Sequence, residues 1–126
     1  MRKKYRPKTK QDLRKLILNE EIELADIDTS KITDMSHLFE PTLRGGDQAR
    51  FFFDGIETWD VSNVTNMEFM FSYATSFNQE INWNTSKVIN MKGMFKGTQV
   101  FNKRVILNTI NVTNMDNVFD SSRKFN

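Results

Sequence analysis

Cysteine is missing from this 126-residue chain, so neither a disulfide nor a thiolate metal site can hold it together. Histidine occurs once, as His37, with no second imidazole for a metal and no neighbouring Cys or Ser-Asp set for nucleophilic work; it reads as a surface residue. No run of about 18 apolar residues is present, which excludes a membrane-spanning helix. The basic start could open a secretory signal, but Gln11, Asp12, Arg14, Lys15, Asn19 and Glu20 interrupt the roughly 7 to 15 apolar residues such a signal needs, and none is expected. Proline (two) and glycine (five) are scarce, so their cluster at Pro41, Gly45 and Gly46 stands out as loop punctuation.

Charge is unevenly placed. Of the 18 Lys and Arg, six lie in the first ten residues (Arg2, Lys3, Lys4, Arg6, Lys8, Lys10), leaving 12 against 16 acidic residues in the body. The basic head lacks the interleaved aromatics of a nucleic-acid arm and the apolar face of a membrane helix, so residues 1–8 read as a poorly ordered, solvated leader, with no nucleic-acid partner. Hydrophobic residues make up only 38 %, yet there are 11 Phe and 7 Met, so a few large side chains supply most of the burial.

Those large residues recur. Val64, Met67, Met70, Phe71, Phe77 is followed after 24 residues by Val88, Met91, Met94, Phe95, Phe101, and after 24 more by Val112, Met115, Val118, Phe119, Phe125. A looser copy, Ile27, Ile32, Met35, Leu38, Phe39, precedes them with eight extra residues before the register resumes. That surplus lies in an insertion over 40–50. Self-similarity at this period predicts an α/β solenoid of about four 24-residue repeats, each with a short parallel strand and a short helix. Met67, Met70, Phe71 and Ala74 fall at i, i+3, i+4, i+7 and predict the helix; Asp34, Asn66, Asn90 and Asn114, after Thr33, Thr65 and Thr113, suit its N-terminus. Ile22 with Leu24, Ile56 with Trp59, Ile81 with Trp83 and Val105 with Leu107 mark the strands. The expected core is Met35, Phe39, Trp59, Met67, Phe71, Phe77, Trp83, Met91, Phe95, Phe101, Met115 and Phe119, with Phe77, Phe101 and Phe125 stacked as a ladder.

Ahead of the repeats, Leu13, Leu16 and Ile17 share a helical face and Thr9 can cap it, so 9–21 is expected to close the open end of the stripe. The organisation is then a single domain over 9–126, with repeats from 22 to 126.

The segment from Trp59 to Met67, continuing through Met70-Phe71, Ala74 and Phe77-Asn78, resembles the repeat of the BspA-like surface-protein family, a leucine-rich-repeat branch found in bacterial surface proteins and mycoplasma lipoproteins. Residues 28–35, 84–88 and 106–119 are looser copies. The resemblance implies a leucine-rich-repeat-like solenoid, surface display and adhesion or other protein binding. It implies no cofactor, metal or catalytic residue.

The remaining motifs have structural readings. Asp26 and Asp28 lack a third cation ligand and suit turns. The glycosylation patterns at Asn63, Asn84 and Asn111 follow largely from the repeat itself. Gly45-Gly46 lacks the spacing of a phosphate loop. The insertion departs from the array, and binding loops are commonly grafted at such places, which makes Arg44, Asp47, Gln48 and Arg50 candidate partner-binding residues, with Phe51, Phe52 and Tyr73 as exposed aromatic anchors. The function expected is non-enzymatic binding of a host or bacterial protein. The alternative is an intracellular regulatory or immunity-type inhibitor using the same surface. Surface or secreted placement follows if the chain is part of a longer protein, and cytoplasmic placement if it is complete. An uncapped end around Leu107, Val118 and Phe125 invites self-association.

Overall fold

The computed structural model describes residues 3–41, 49–98 and 103–119. Helix α1 spans Lys10–Ile17. Thr9, in an extended conformation, accepts a hydrogen bond on its side chain from the Asp12 amide (3.1 Å), and Asp12 adds a favourable charge to the first turn. Leu13 and Ile17 are fully buried, so the apolar face packs on the core. Two 3-10 turns follow, η1 (Leu24–Asp26) and η2 (Ile56–Thr58), then two short strands, β1 (Ile81–Asn82) and β2 (Val105–Ile106). The strands pair in parallel, Ile81 with Val105 and Asn82 with Ile106.

This inventory overturns the expected leucine-rich-repeat-like α/β solenoid. Among the described residues there is one α-helix and one small, open, two-stranded sheet, with no strand and helix in every 24-residue unit. Leu24 opens a 3-10 turn where a strand was expected, and Ile56 does the same.

The missing helices have a physical cause. His37, Phe69, Gly93 and Asn117 occupy one position of the cassette and all have positive φ (59°, 54°, 59° and 57°); Tyr73 and Gly97 share a second such position (57° and 77°). An α-helix cannot pass through left-handed residues. Instead the chain makes four-residue turns closed by amide-to-carbonyl bonds from Met70 to Met67 (3.2 Å), Ala74 to Phe71 (2.9 Å), Met94 to Met91 (3.1 Å) and Thr98 to Phe95 (3.3 Å), with the left-handed residue third in each. First and fourth residues point inward, giving the i, i+3, i+4, i+7 spacing of a helical stripe without the helix.

Cassettes are joined edge to edge by single parallel bridges, Asp34 to Asn66, Asn66 to Asn90 and Asn90 to Asn114. Alternate amides continue the pairing: Met67, Phe69, Phe71 and Tyr73 donate to the carbonyls of Asn90, Lys92, Met94 and Lys96 at 2.7–2.9 Å. The bridging side chains are not helix caps. Asp34, Asn66, Asn90 and Asn114 each accept from the amide two residues on, at 2.8–3.0 Å, fixing an Asx turn.

Phe39, Phe71, Phe95 and Phe119 form the inner stack, with centroids 5.4–5.6 Å apart and planes within 10°. Phe77 lies beside this stack, 4.1 Å from Phe71 and edge-on to Phe53 at 5.2 Å, while Phe101 and Phe125 fall outside the described residues. Met35, Met67, Met91, Trp59 and Trp83 are buried; each indole N–H donates to a carbonyl of an earlier cassette, Trp59 to Leu24 (2.8 Å) and Trp83 to Ile56 (3.2 Å). Met115 departs from the expected core: it is 41 % exposed, and Phe119 is only half-buried, because no described cassette covers the last one.

Residues 3–5 of the basic leader are held to the body. Tyr5 bridges Ile27, its amide donating to Asp26 and its carbonyl accepting from Asp28, and the Lys3 ammonium donates to the Ala25 carbonyl.

Candidate functional site

Inward Ile32, Val64, Val88 and Val112 each sit between two outward residues, which builds two exposed columns: Lys31, Asn63, Lys87, Asn111, and Thr33, Thr65, Ile89, Thr113. The backbone registers them, since the amides of Thr65, Ile89 and Thr113 donate at 2.8 Å to the carbonyls of Thr33, Thr65 and Ile89. Side chains then lock across cassettes: Asn63 Nδ2 donates to the Ser30 carbonyl (2.8 Å), Asn111 Nδ2 to Ser86 (2.6 Å), and Lys87 Nζ to Asn63 Oδ1 (3.1 Å). A shallow hollow of about 510 Å³ opens on this face, lined by Thr65, Ser86, Lys87, Ile89, Asn111 and Thr113. Hydroxyls, amides and one ammonium at fixed spacing can hold a polar ligand, and this lining has no carboxylate or imidazole to serve as a general base.

The insertion residues fare differently. Arg44, Asp47 and Gln48 lie outside the described residues. Arg50 is buried and spent on the fold: Nε donates to the Phe52 carbonyl (2.6 Å), Nη1 to Ile17 and Asn19 (both 3.1 Å), and Nη2 to Ile22 (2.7 Å), with Glu20 3.7 Å away. It satisfies carbonyls at the end of α1, where a cation is favourable, and its burial lowers the guanidinium pKa. It is therefore not a residue offered to a partner. Phe51 and Phe52 are exposed (53 % and 70 %), and Tyr73 is 37 % exposed with its ring over Gly97.

His37 is exposed, 2.6 Å from Glu40 and stacked on Phe69 at 5.2 Å. Asp26 pairs with Lys4 at 3.7 Å; Asp28 accepts from the Ser30 amide, and hydrogen bonding from the Ser30 side chain first, then from that amide, lowers its pKa. Among the described residues no three His, Asp or Glu converge as a metal set. Arg14 is a residue that sequence reasoning missed. Its guanidinium donates to the carbonyls of His37, Leu38 and Glu40, contacts 23 to 26 residues away that no local pattern announces.

Residues 10–126 match the family described as Mycoplasma protein of unknown function, DUF285. The chain belongs to this family. The match takes in α1, the Asx-turn cassettes and both outward columns, so all of the geometry above from Lys10 onward falls within the DUF285 region. No curated protein and no solved structure matches the chain. Among the described residues of this DUF285 chain, no helix is long and apolar enough to cross a membrane.

Proposed function

We propose that this chain is a non-enzymatic protein-binding module that engages its partner through the outward columns. The supporting observation is that Asn63, Lys87 and Asn111, with Thr65 and Thr113 beside them, are exposed yet held by side-chain bonds across cassettes, so binding there costs little side-chain ordering. The resemblance of the Trp59–Met67 segment to the BspA-like repeat favours adhesion at a bacterial surface as the setting. Binding of a single intracellular protein, as an inhibitor would do, uses the same face.

The test is affinity capture from surface extracts and from cytosol in parallel, with the wild-type chain beside a Lys87→Glu, Asn111→Asp variant. A protein retained by the wild type and lost by a variant with unchanged thermal unfolding supports the reading, and the extract that yields it decides between adhesion and inhibition. Identical capture by both chains refutes the assignment of this face. Exposed Ile106, Ile110 and Met115 also support self-association at the last cassette, which sedimentation equilibrium with Ile110→Asp would check.

A further inference from the structure

Hydrogen bonding in the outward columns is directional. The Thr65 hydroxyl donates to the Thr33 carbonyl (3.2 Å) and the Thr113 hydroxyl to the Ile89 carbonyl (3.4 Å). A carbonyl can only accept, so both protons point back into the array and the threonine oxygens turn lone pairs to solvent. The neighbouring column is the donor side. Asn63 and Asn111 each spend one amide proton on the preceding cassette and keep the other, Lys87 gives one of its three ammonium protons to Asn63 Oδ1 (3.1 Å), and Lys31 has no hydrogen bond among the described residues. A ligand lying between the columns must accept on one flank and donate on the other at each step, as the hydroxyls of a sugar do.

The rungs of this ladder recur once per cassette. Bridged neighbours in a parallel array lie about 4.8 Å apart. The inner Phe rings of adjacent cassettes stay within 10° of parallel, so the columns run straight. An extended peptide shows same-side groups only every second residue, about 6.6 Å, and falls out of step with the rungs. The rise of one pyranose in an extended, β-linked polysaccharide is close to one cassette, so such a chain sets one sugar on each rung. Ile89, 49 % exposed where the column's threonine is replaced, gives the C–H face of one ring an apolar seat in the hollow.

Charge follows the same frame. Lys31, Asn63, Lys87 and Asn111 place a cation on every second rung, about 9–10 Å apart. Lys31 shares its charge with Asp28, and Asp60 is turned to the amide and hydroxyl of Ser62. The equivalent Asx turns beside Lys87 and Asn111 are made by the neutral Asn84 and Asn108, and no carboxylate lines the hollow.

We infer that the outward columns bind an extended acidic polysaccharide, one sugar per cassette, whose carboxylates on alternate sugars meet Lys87 and, two rungs away, Lys31. This rests on the reading of these columns as the binding face, and makes a glycan carried by the partner, not its polypeptide, the part recognised.

Isothermal titration of the full chain with a hyaluronan octasaccharide, which carries a carboxylate on every second sugar, tests it. Cellohexaose is the neutral probe of similar rise, and hexaglutamate the probe with charge but the wrong repeat. Hyaluronan should bind saturably and cellohexaose at least about tenfold more weakly. Lys87→Gln should weaken hyaluronan by about tenfold or more and leave cellohexaose unchanged, while Thr65→Val with Thr113→Val should weaken both at an unchanged urea midpoint. Lys15→Gln, on the exposed side of α1, should change nothing. Absence of hyaluronan binding overturns the inference. So does equal binding of hexaglutamate, or a loss with Lys15→Gln as large as with Lys87→Gln, because the attraction would then be diffuse charge. Digesting the extract with a uronate-specific polysaccharide lyase before the affinity capture separates the two readings. Protein capture that depends on Lys87 yet survives digestion keeps the binding face and refutes the glycan; hyaluronan bound with no protein captured supports the glycan and refutes the protein partner.

Discussion

Gly93→Ala isolates the feature that replaces helices in this chain. Gly93 has φ of 59°, a conformation that costs an L-residue about 1–2 kcal/mol, and a methyl built on it would lie 2.5 Å from Cδ1 of Phe69. The Phe69 ring cannot withdraw freely, because it stacks on His37 at 5.2 Å and carries the Lys92 ammonium 5.9 Å from its centroid. Overpacking of this kind adds about 1–3 kcal/mol. The substitution should therefore destabilise by about 2–5 kcal/mol, read as a fall in the urea midpoint at constant slope. In a Phe69→Ala background the clash is gone, and the same change should cost only about 1–2 kcal/mol, the backbone share alone. Equal costs in the two backgrounds would show that the ring is not the obstacle, and a cost under about 0.5 kcal/mol would refute the left-handed turn itself.

Other perturbations probe different parts of the fold. Phe95→Ala, fully buried between Phe71 and Phe119, should cost about 3–5 kcal/mol in urea unfolding. Arg50→Met leaves the buried ends of several carbonyls without a donor and should cost about 3 kcal/mol or more by the same assay, whereas a surface recognition residue would cost under about 0.5 kcal/mol. Ser72 has a buried hydroxyl with no partner among the described residues, so Ser72→Ala should be neutral or raise the midpoint. For Asp34, burial pushes the pKa up, but hydrogen bonds from Ser36 and the charge of Lys10 outweigh it, so the folded value is lower than the unfolded one. The stabilisation is then complete above about pH 4 and is lost as pH falls through the folded value. Asp34→Asn, matching Asn66 and Asn90 at the same cassette position, should keep the turn and show a smaller drop in urea midpoint between neutral and about pH 3.

Helix α1 was legible because its signals are local: Thr9 at the start, Leu13, Leu16 and Ile17 on one face. The tandem turns were not, because a turn that points its first and fourth residues inward writes the same spacing as a two-turn helix. Only Gly93, Gly97 and Asn117 hint at left-handed backbone, while His37, Phe69 and Tyr73 occupy equivalent positions with side chains that give no such warning. The inner Phe39, Phe71, Phe95 row was readable from the 24-residue register, and Met115 was misjudged because the same register is silent on whether a neighbour covers it. Arg50 looked like a loop residue since nothing in sequence shows a side chain reaching 33 residues back to Ile17. The side-chain bonds that lock the outward columns were not legible, because they join residues 24 to 33 positions apart.

The single bridges between Asn66, Asn90 and Asn114 also set how the molecule would answer a mechanical load. With bonds running between cassettes and each cassette contacting its neighbour, tension applied across the ends would peel one cassette at a time instead of shearing a whole sheet. Each release would free 24 residues, which lengthens the chain by about 80 Å. Such a molecule would yield in steps and could pair again between them.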